Sequence, residues 1–382
     1  MENLVASNGT PSGSPTPSFW RGKRVFLTGH TGFKGSWLAL WLQDLGAEVR
    51  GFALDPPSTP SLYESARVGS LVASTHGDVR SLDAVVEAMA QFQPDVVFHL
   101  AAQSLVRRSY KDPTGTFATN VMGTVHVLEA IRQVKSVRAA VVVTSDKCYE
   151  NRESPLWGYR ESDRMGGDDP YSNSKGCAEL IASSYRDSFL DGGTRPVALA
   201  TARAGNVIGG GDWATDRLVP DIVRAFAAGR PVHIRNPKAV RPWQHVLEPL
   251  RGYLMLAEAL WTDADPFAEG WNFGPRAEDA QPVGEIVERL ITIWGDDAEA
   301  VIAPGPHPSE ATFLRLDCSK ARSVLYWTPR IGLNTALTWT AEWYRAFYGG
   351  DDARALTLDH IHRFADLSTS PSSNDLPVHA DS

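Results

Sequence analysis

A tyrosine and a lysine stand four residues apart, at Tyr171 and Lys175, which places a phenol and an ammonium group on one face of a helix. A free tyrosine has a pKa of about 10, too high for a base at neutral pH, but a neighbouring positive charge favours the phenolate. The pair can therefore take a proton from a substrate hydroxyl, and Ser145, at the end of an apolar run, can hydrogen-bond the same hydroxyl. The same spacing is also common on solvated helix faces, so its meaning depends on its surroundings.

A second candidate is the glycine loop at residues 29–35 (GHTGFKG), which directly follows an apolar run and opens a helical pattern. Glycines in this context permit a tight turn and let the backbone approach a pyrophosphate, which then lies on the free N–H groups of the helix start. The pattern therefore predicts a dinucleotide cofactor. The residues predicted to bind it here are Gly29, Thr31, Gly32, Phe33, Lys34 and Gly35.

Asp55 ends the second predicted strand and follows Gly35 at the distance typical of a ribose-binding acid. Its carboxylate can accept hydrogen bonds from an adenosine ribose and would repel a 2′-phosphate, which favours NAD over NADP. The alternative is an acid in a surface turn, because Pro56 and Pro57 follow it directly.

The scaffold for these residues is predicted from short apolar runs that alternate with helical patterns. The predicted strands are residues 24–28, 48–55, 95–100, 139–144 and 197–202. Continuous apolar strands separated by helices predict an α/β fold with a Rossmann-type, doubly wound parallel sheet. The chain becomes rich in glycine and proline after residue 205, which predicts a smaller C-terminal substrate-binding lobe over the carboxyl ends of the strands.

The predicted domain organisation follows from the same pattern. Residues 1–18 and 368–382 are rich in Ser, Pro and Asn and are expected to be disordered tails. Residues 20–204 are expected to form the NAD-binding domain, with residues of about 240–262 returning to it, and residues 205–348 are expected to form mainly the substrate-binding lobe.

Composition excludes several classes of protein. A formal net charge of -8 argues against nonspecific binding of nucleic acid, although a local basic pocket could still bind an anionic ligand. Cys148, Cys177 and Cys318 are too few and too dispersed for a disulfide framework or a metal site, and we expect reduced thiols. No apolar run reaches the roughly 18 residues of a membrane span, and no signal peptide is evident, so we expect a cytoplasmic protein.

Together these residues resemble the extended short-chain dehydrogenase/reductase family over about residues 20–345, with further similarity at 77–80 (GDVR), 100–103 (LAAQ), 119–124 (TNVMGT) and 169–171 (DPY). The resemblance implies a catalytic set of Ser145, Tyr171 and Lys175, and a structural role for Asn120. It extends the expected NAD contacts to Asp78, Val79, Leu100, Ala101, Ala102, Gln103, Thr119, Tyr171 and Lys175. For Asp78 a helix cap, and for Gln103 a plain surface position, are the alternatives.

Two ionisable residues, Asp146 and Lys147, follow Ser145, where family members that epimerise or reduce sugars often have small, unreactive residues. Similarity to the 4,6-dehydratases implies that they serve as acid and base in eliminating water across C5 and C6 of a nucleotide-linked hexose. Lys147 is then either a neutral base or a cation that stabilises the developing enolate. The alternative is an exposed lysine paired with Glu150.

Residues 29–38, 145–151, 204–213 and 241–250 resemble in particular the CDP-glucose 4,6-dehydratase subfamily, whereas dTDP-glucose dehydratases have Glu in place of Lys147. The resemblance implies NAD as cofactor, CDP-glucose as substrate, and a product used in surface polysaccharides such as lipopolysaccharide O-antigen. The substrate-binding residues that it implies are Asn206, Arg217, Arg241, His233 and Asn272. The arginines could instead form surface ion pairs.

The resemblance also implies a homodimer that associates through a four-helix interface built from residues 112–132 and 170–190, with simple core packing as the alternative. A GDP-mannose or dTDP-glucose dehydratase and a 4-epimerase on the same scaffold are rival functions. A non-catalytic NAD-sensing protein is a rival of another class, but it has no need of the Tyr171 and Lys175 pair.

Overall fold

The computed structural model describes residues 13–153, 157–190, 196–295, 298–302 and 314–367. The expected C-terminal tail, residues 368–382, lies outside the described residues, as do residues 1–12 of the expected N-terminal tail. The prediction of disorder is wrong for residues 13–18. Arg330 Nη2 donates a hydrogen bond to the carbonyl oxygen of Gly13 at 3.1 Å, and Glu258 Oε1 accepts one from Thr16 N at 2.7 Å. These two contacts, of which the one to Gly13 is buried, hold the segment on the domain, and composition does not reveal them.

The described chain contains strands with few residues each, most of them rich in Val, Ala or Ile. They are β1 (Arg24–Thr28), β2 (Glu48–Ala53), β3 (Ala73–His76), β4 (Val96–His99), β5 (Ala139–Val143), β6 (Ala198–Arg203), β7 (Val207–Ile208), β8 (Val232–Ile234), β9 (Val240–Pro242), β10 (Gln244–His245), β11 (Gly270–Asn272), β12 (Ala280–Pro282) and β13 (Ala300–Ile302).

The α-helices alternate with these strands in the first half of the chain and dominate the second half. They are α1 (Pro17–Trp20), α2 (Phe33–Asp44), α3 (Leu62–Ser65), α4 (Leu82–Phe92), α5 (Val106–Lys111), α6 (Pro113–Phe117), α7 (Gly123–Gln133), α8 (Pro170–Tyr185), α9 (Leu218–Ala227), α10 (Leu247–Thr262), α11 (Val283–Trp294), α12 (Ser319–Ser323), α13 (Leu333–Tyr348) and α14 (Ala353–Ala365).

Seven parallel strands form the central sheet in the order β11-β6-β5-β4-β1-β2-β3. This order is that of a doubly wound Rossmann sheet with one added strand, and it confirms the predicted fold class. Every residue of β4, β5 and β6 is buried, as expected for strands covered on both faces. The carboxyl ends of β1 and β4 lie side by side at the point where the strand order reverses, and this is where such folds bind ligands.

Helices cover both faces of this sheet. On one face α4 and α7 bury Met89, Val127 and Ile131 against the strands. On the other face α2 and α10 bury Trp37 and Leu254 in a second, larger cluster. The short pairs β7-β10, β8-β13 and β9-β12 form separate two-stranded sheets outside the central sheet.

Helix α10, in the segment of about 240–262 that was expected to return to the NAD-binding domain, packs on β5 and β6, and the central sheet also includes β11. This strand comes from within the segment assigned to the lobe and pairs with β6 at the edge of the sheet. In the described residues, no helix combines the length and the apolar character needed to cross a membrane.

Candidate active site

The glycine loop joins β1 to α2 at the carboxyl edge of the sheet, as predicted. Gly29 has a φ of 76°, and a Cβ atom there would lie 2.7 Å from the backbone nitrogen of Ala101, so only glycine fits. A Cβ atom on Gly35 would overlap the carbonyl oxygen of Gly29, which keeps the loop close to the helix start. Thr31 Oγ1 donates a hydrogen bond to the carbonyl oxygen of Leu54 at 2.9 Å and ties the loop to the end of β2.

This loop fits a dinucleotide phosphate. Within the described chain no side chain caps the start of α2, where Gly32 occupies the capping position, so backbone N–H groups remain for an anion. Asp55 lies two residues beyond β2, its carboxylate is 90% exposed, and it lies 3.5 Å from His76 Nε2 at the end of β3. An exposed acid at this edge can bind the ribose of NAD.

Asn120 fixes the backbone after β4 that is expected to line the cofactor. Its Oδ1 accepts a hydrogen bond from Gln103 N at 2.8 Å, while its Nδ2 donates to Gln103 O and to Ser174 Oγ, both at 2.9 Å. Asn120 belongs to a π-helical segment, Ala118–Met122, between α6 and α7, which also carries Thr119. The structural role implied for Asn120 is therefore confirmed, and the buried amide connects this backbone to α8.

The other residues expected to bind NAD near this backbone differ in which of their groups can face a ligand. Asp78 forms an ion pair with Arg80, which holds the pKa of its carboxyl below the ordinary value. The side chain of Val79 is buried in the core, so only its backbone can face a ligand. Leu100 and Ala101 each donate a backbone hydrogen bond to Thr28 Oγ1 at 3.1 Å, which joins the ends of β1 and β4.

Tyr171 and Lys175 lie in the first turns of α8, and both are buried. The helix starts there because Asp169 caps it, accepting a hydrogen bond from Ser172 N at 2.9 Å, and because proline occupies its first position. Lys175 Nζ lies 3.3 Å from the carbonyl oxygen of Val143 at the end of β5. The structure thus brings the predicted pair to the same strand end as Ser145.

Burial dominates the titration of this pair. It raises the pKa of Tyr171 to about 12, while a hydrogen bond with Ser145 and the charge of Arg217 act in the opposite direction. Burial also lowers the pKa of Lys175 to about 8, against the charge of Glu179. Arg217 is thus a second cation that favours the phenolate, beside the Lys175 that the sequence predicted for this role.

Asp146 is buried directly beside Ser145, with 3% of its surface exposed. Its Oδ1 accepts a hydrogen bond from Ser145 Oγ at 2.9 Å, and its Oδ2 accepts one from Asn206 Nδ2 at 3.3 Å. A Cβ atom on Gly205 would overlap this carboxyl group. Lys147 follows in the same 3-10 turn and donates its backbone N–H to Ser145 Oγ at 3.2 Å. Asp146 and Lys147 therefore lie on the crevice side of β5, as the dehydratase hypothesis requires.

Lys34 is a further member of this cluster that the sequence placed only among the cofactor contacts. Its side chain is half-buried, and desolvation lowers its pKa to about 7, with the charges of Arg217 and Lys175 contributing in the same direction and Asp146 opposing them. The glycine loop therefore brings a titratable amine close to the proposed catalytic residues. Loop spacing could not reveal this coupling, because it depends on strand ends far apart in the chain.

Arg217 and Asn206 reach the crevice, as predicted. Arg217 donates hydrogen bonds to Asp212 Oδ2 at 2.9 Å and to Ser104 Oγ at 3.0 Å, and the charge of Asp212 raises its pKa. Asn206 adopts a positive φ of 49° immediately after Gly205, which directs its amide towards Asp146. An arginine that is half-buried at this edge can bind a phosphate group in a forked manner.

The other predicted substrate residues lie in the lobe. Arg241 is in β9 and donates to the carbonyl oxygen of Val240 at 2.9 Å. His233 is exposed in β8, near Arg235, whose Nη1 lies 3.3 Å from Asp216 Oδ1. A role in substrate binding stays a prediction for both residues.

The prediction for Asn272 is wrong. Its side chain is fully buried in β11, where Oδ1 accepts a hydrogen bond from Tyr149 at 2.7 Å and Nδ2 donates to the carbonyl oxygens of Tyr159 and Asp317. The amide therefore holds the sheet edge to the lobe and has no surface for a nucleotide. Motif alignment places a residue in a region but does not say which way its side chain points.

Comparisons with known proteins agree with this geometry. The family model described as GDP-mannose 4,6 dehydratase matches residues 26–340. The chain is 56% identical over 355 residues to the CDP-glucose 4,6-dehydratase of Salmonella typhimurium, covering 92% of this chain and 99% of that protein. It is 26% identical over 340 residues to the GDP-mannose 4,6-dehydratase of Sinorhizobium fredii, covering 80% and 92%. The crystal structure of the Thermus thermophilus UDP-glucose 4-epimerase complex with NAD is 25% identical, with a TM-score of 0.73 and coverage of 84% and 99%.

Proposed function

Because the chain belongs to the GDP-mannose 4,6-dehydratase family of nucleotide-sugar enzymes, we propose that it converts CDP-glucose to CDP-4-dehydro-6-deoxyglucose and water. The observation that carries this choice of nucleotide is the 56% identity to a CDP-glucose 4,6-dehydratase, against 26% to a GDP-mannose 4,6-dehydratase. The cofactor is NAD, and the glycine loop and Asp55 would hold it. When bound, NAD accepts the hydride from C4 of the hexose and returns it to C6, and its nicotinamide charge favours a phenolate.

The first proton transfer is assigned to Tyr171, which takes the proton from the C4 hydroxyl. Ser145 hydrogen-bonds the same hydroxyl, the charge of Arg217 favours the phenolate, and Lys175 places an amine one helical turn from Tyr171 on α8. Because burial raises the pKa of Tyr171 to about 12, the free protein holds the phenol protonated, and the phenolate requires the added positive charge of a bound cofactor.

The elimination is assigned to the two residues after Ser145. A ketone at C4 acidifies the C5 hydrogen, and Asp146 gives a proton to the departing C6 hydroxyl from its buried position. Lys147 either removes the C5 proton or stabilises the enolate that forms, in which case water or another group takes that proton. Water leaves, and addition of the hydride held by the cofactor to C6 and of a proton to C5 would complete the cycle with no net oxidation.

We also propose a homodimer that associates through helices in the segments 112–132 and 170–190, and a cytoplasmic location. Support for the dimer comes from exposed apolar side chains on these segments, at Met122, Leu180 and Phe189. The product would supply enzymes that build deoxy sugars of surface polysaccharides, because its 4-ketone is the reactive group that later transformations need.

The proposal is tested by incubating the purified protein and NAD with CDP-glucose, dTDP-glucose, UDP-glucose and GDP-mannose in parallel. The expected result is a 4-keto-6-deoxy product, followed by NMR, with CDP-glucose converted about 100-fold more efficiently than the others. Deuterium placed at C4 of CDP-glucose should appear at C6 of the product. A higher kcat/KM for any other nucleotide sugar, or deuterium lost to solvent, would contradict the proposal.

The role of Lys147 has its own test. The variant Lys147→Ala should still let the C4 hydride transfer, seen as transient absorbance of reduced cofactor, but should form product at least 100-fold more slowly. Full turnover by this variant would mean that the residue neither moves the C5 proton nor stabilises the enolate.

A further inference from the structure

A buried ion pair lies beneath the proposed catalytic residues and has no assigned role in the reaction. Glu179 follows Lys175 by one helical turn and Tyr171 by two, so all three lie on one face of α8. Glu179 Oε2 is 2.8 Å from Arg203 Nη2, and the two side chains are only 4% and 5% exposed. The pair is therefore shielded from solvent and acts on its neighbours without screening.

The carboxylate of Glu179 joins α8 to the ends of two strands. Its Oε1 accepts a hydrogen bond from Thr144 Oγ1, and its Oε2 accepts one from Thr201 Oγ1 at 2.6 Å in addition to that from Arg203. Thr144 directly precedes Ser145 in the chain. Any movement of this carboxylate would therefore be passed to the residue that hydrogen-bonds the substrate.

Arg203 extends the same network towards the elimination residues. Its Nη1 donates a hydrogen bond to Tyr149 Oη at 2.6 Å, and Tyr149 donates in turn to Asn272 Oδ1 at 2.7 Å. Tyr149 lies two residues after Lys147, at the end of the turn that holds it. The turn carrying Asp146 and Lys147 is thus anchored at both ends by groups bonded to one ion pair.

Packing alone does not explain a charged pair at this place. Removing two charges from water is costly, and well-packed apolar residues often serve stability equally well. What an apolar residue cannot supply is a fixed negative charge one turn from Lys175. Burial lowers the pKa of Lys175, and the charge of Glu179 is the largest influence that opposes this change. Cys148 acts in the same direction as Glu179, and Lys34 of α2 and His99 of β4 are the other titratable groups that interact with Lys175.

We propose that Glu179 is a positioning residue for the reaction, which keeps Lys175 in its charged form and holds the Thr144–Ser145 strand end against α8. This inference rests on the proposed function, since Lys175 acts there as a cation beside Tyr171. Glu179 does not touch the substrate in this scheme. It acts through Lys175 and Thr144.

The test is the pH profile of kcat for Glu179→Gln, which keeps the size of the side chain and removes its charge. Without the carboxylate, Lys175 loses its proton at a lower pH, so the alkaline decline in kcat should move down by at least one pH unit. The variant should therefore lose about ten-fold more activity at pH 8.5 than at pH 6.5. A purely structural role would reduce kcat by the same factor at every pH.

A matched control is Glu258→Gln, which changes a half-buried carboxyl on α10 that accepts a hydrogen bond from Trp20 Nε1 at 2.6 Å. It should lower Tm and leave the pH profile of kcat unchanged. If Glu179→Gln does not fold because Arg203 is left unpaired, the double variant Glu179→Gln/Arg203→Met removes both charges and should show a smaller shift in the same direction, because the opposing charge of Arg203 is lost as well.

An unshifted alkaline limb in the single or the double variant would overturn the role of Glu179. Failure of the proposed function gives a different result, because the unaltered protein would then form no product from CDP-glucose. The same pH series would in that case be run with whichever nucleotide sugar the protein converts, since the role of Lys175 does not depend on the base.

Discussion

At the scale of single residues, Lys34 is a crevice amine whose pKa lies close to neutral pH. Burial, Arg217 and Lys175 together lower that pKa to about 7. Lys34 is also the second residue of α2, at the helix start that would receive the phosphates of NAD. Its charge should therefore affect cofactor affinity more than that of any exposed lysine.

We predict that NAD binding weakens as pH rises, and that Lys34→Met removes this dependence. Below pH 7 the ammonium attracts the diphosphate, and the attraction is lost when the amine becomes neutral. The dissociation constant of the unaltered protein should rise about ten-fold between pH 6 and pH 8.5, equivalent to about 1.4 kcal/mol. Tryptophan fluorescence titration at several pH values measures it directly.

The control for this prediction is Lys23→Met, at the opposite edge of the sheet beside the amino end of β1, where Lys23 Nζ lies over the ring of Trp261. That variant should bind NAD with the same pH dependence as the unaltered protein. The same pH dependence in Lys34→Met would mean that another group controls cofactor affinity.

At the scale of elements, long apolar runs were predictable and short polar ones were not. The predictions for β1, β4, β5 and β6 are confirmed to within one or two residues, because continuous valine and alanine leave few alternatives. The strand β3 (ASTH) carries too few apolar residues to be recognised, and β11 (GWN) is only three residues long. Both form because neighbouring strands supply hydrogen-bonding partners.

In the candidate site, too, the sequence predicts the local patterns and does not predict the contacts between distant segments. The glycine loop and the spacing of Tyr171 and Lys175 are local patterns, so the sequence predicts them. The burial of Asn272 and the coupling of Lys34 to Asp146 depend on contacts between distant segments, which no local pattern encodes. Glu179 was not predicted as a site residue, although the sequence shows that it follows Lys175 by four residues and shares its helix face.

The residue that follows β6 packs against the acid that follows β5, so a change after one strand should act on the other. Gly205 follows β6, and a Cβ atom there would overlap the carboxyl group of Asp146. Gly205→Ala should therefore displace this acid and slow product formation at least ten-fold, while NAD affinity stays unchanged. Steady-state kinetics and a cofactor titration on the same preparation measure the two effects.

The matched control is Gly284→Ala in α11, where the nearest atom to an added Cβ is the carbonyl oxygen of Pro237 at 3.3 Å. This change should leave both turnover and cofactor affinity within a factor of two, because the glycine lies in the lobe helix and touches none of the proposed catalytic residues. If Gly205→Ala forms product as fast as the unaltered protein, the strand end tolerates the extra carbon without moving Asp146.

At the scale of the whole molecule, two buried histidines join the C-terminal helices to the domain that carries the site. His245 in β10 and His360 in α14 lie among Trp37 and Trp339, with ring centroids between 5.3 and 6.3 Å apart. Within the described chain, His245 Nε2 and His360 Nδ1 have no hydrogen-bond partner. Burial lowers the pKa of both histidines, that of His360 to about 4, and the charge of Arg363 adds to the effect.

These shifts predict that stability falls in mild acid. Both histidines are neutral in the folded state, whereas in the unfolded chain they bind protons below pH 6.5. Stability is therefore complete above pH 6.5 and is lost as pH falls towards 4, by about 1.4 kcal/mol per pH unit for each histidine. His360→Phe should unfold with a smaller loss of Tm between pH 7 and pH 5, measured by calorimetry. His76→Gln, at a largely exposed position, should show the dependence of the unaltered protein.

The proposed dimer interface can be tested by changing a single exposed side chain. Leu180 on α8 is 61% exposed, and Met122, at the end of the π-helical segment before α7, is 46% exposed, on the segments expected to pair with a second copy. Large apolar side chains grouped on neighbouring helices favour association, because pairing removes them from water. Leu180→Arg should therefore shift the mass measured by sedimentation equilibrium from dimer to monomer.

The control for that change is Tyr326→Arg, at a tyrosine that is 52% exposed but lies after α12, in the C-terminal part of the chain. It should leave the mass dimeric. Because α8 also carries Tyr171 and Lys175, separation of the copies should loosen this helix and reduce kcat together with the mass. A dimeric Leu180→Arg variant, or a monomeric unaltered protein, would show that these apolar residues serve another purpose.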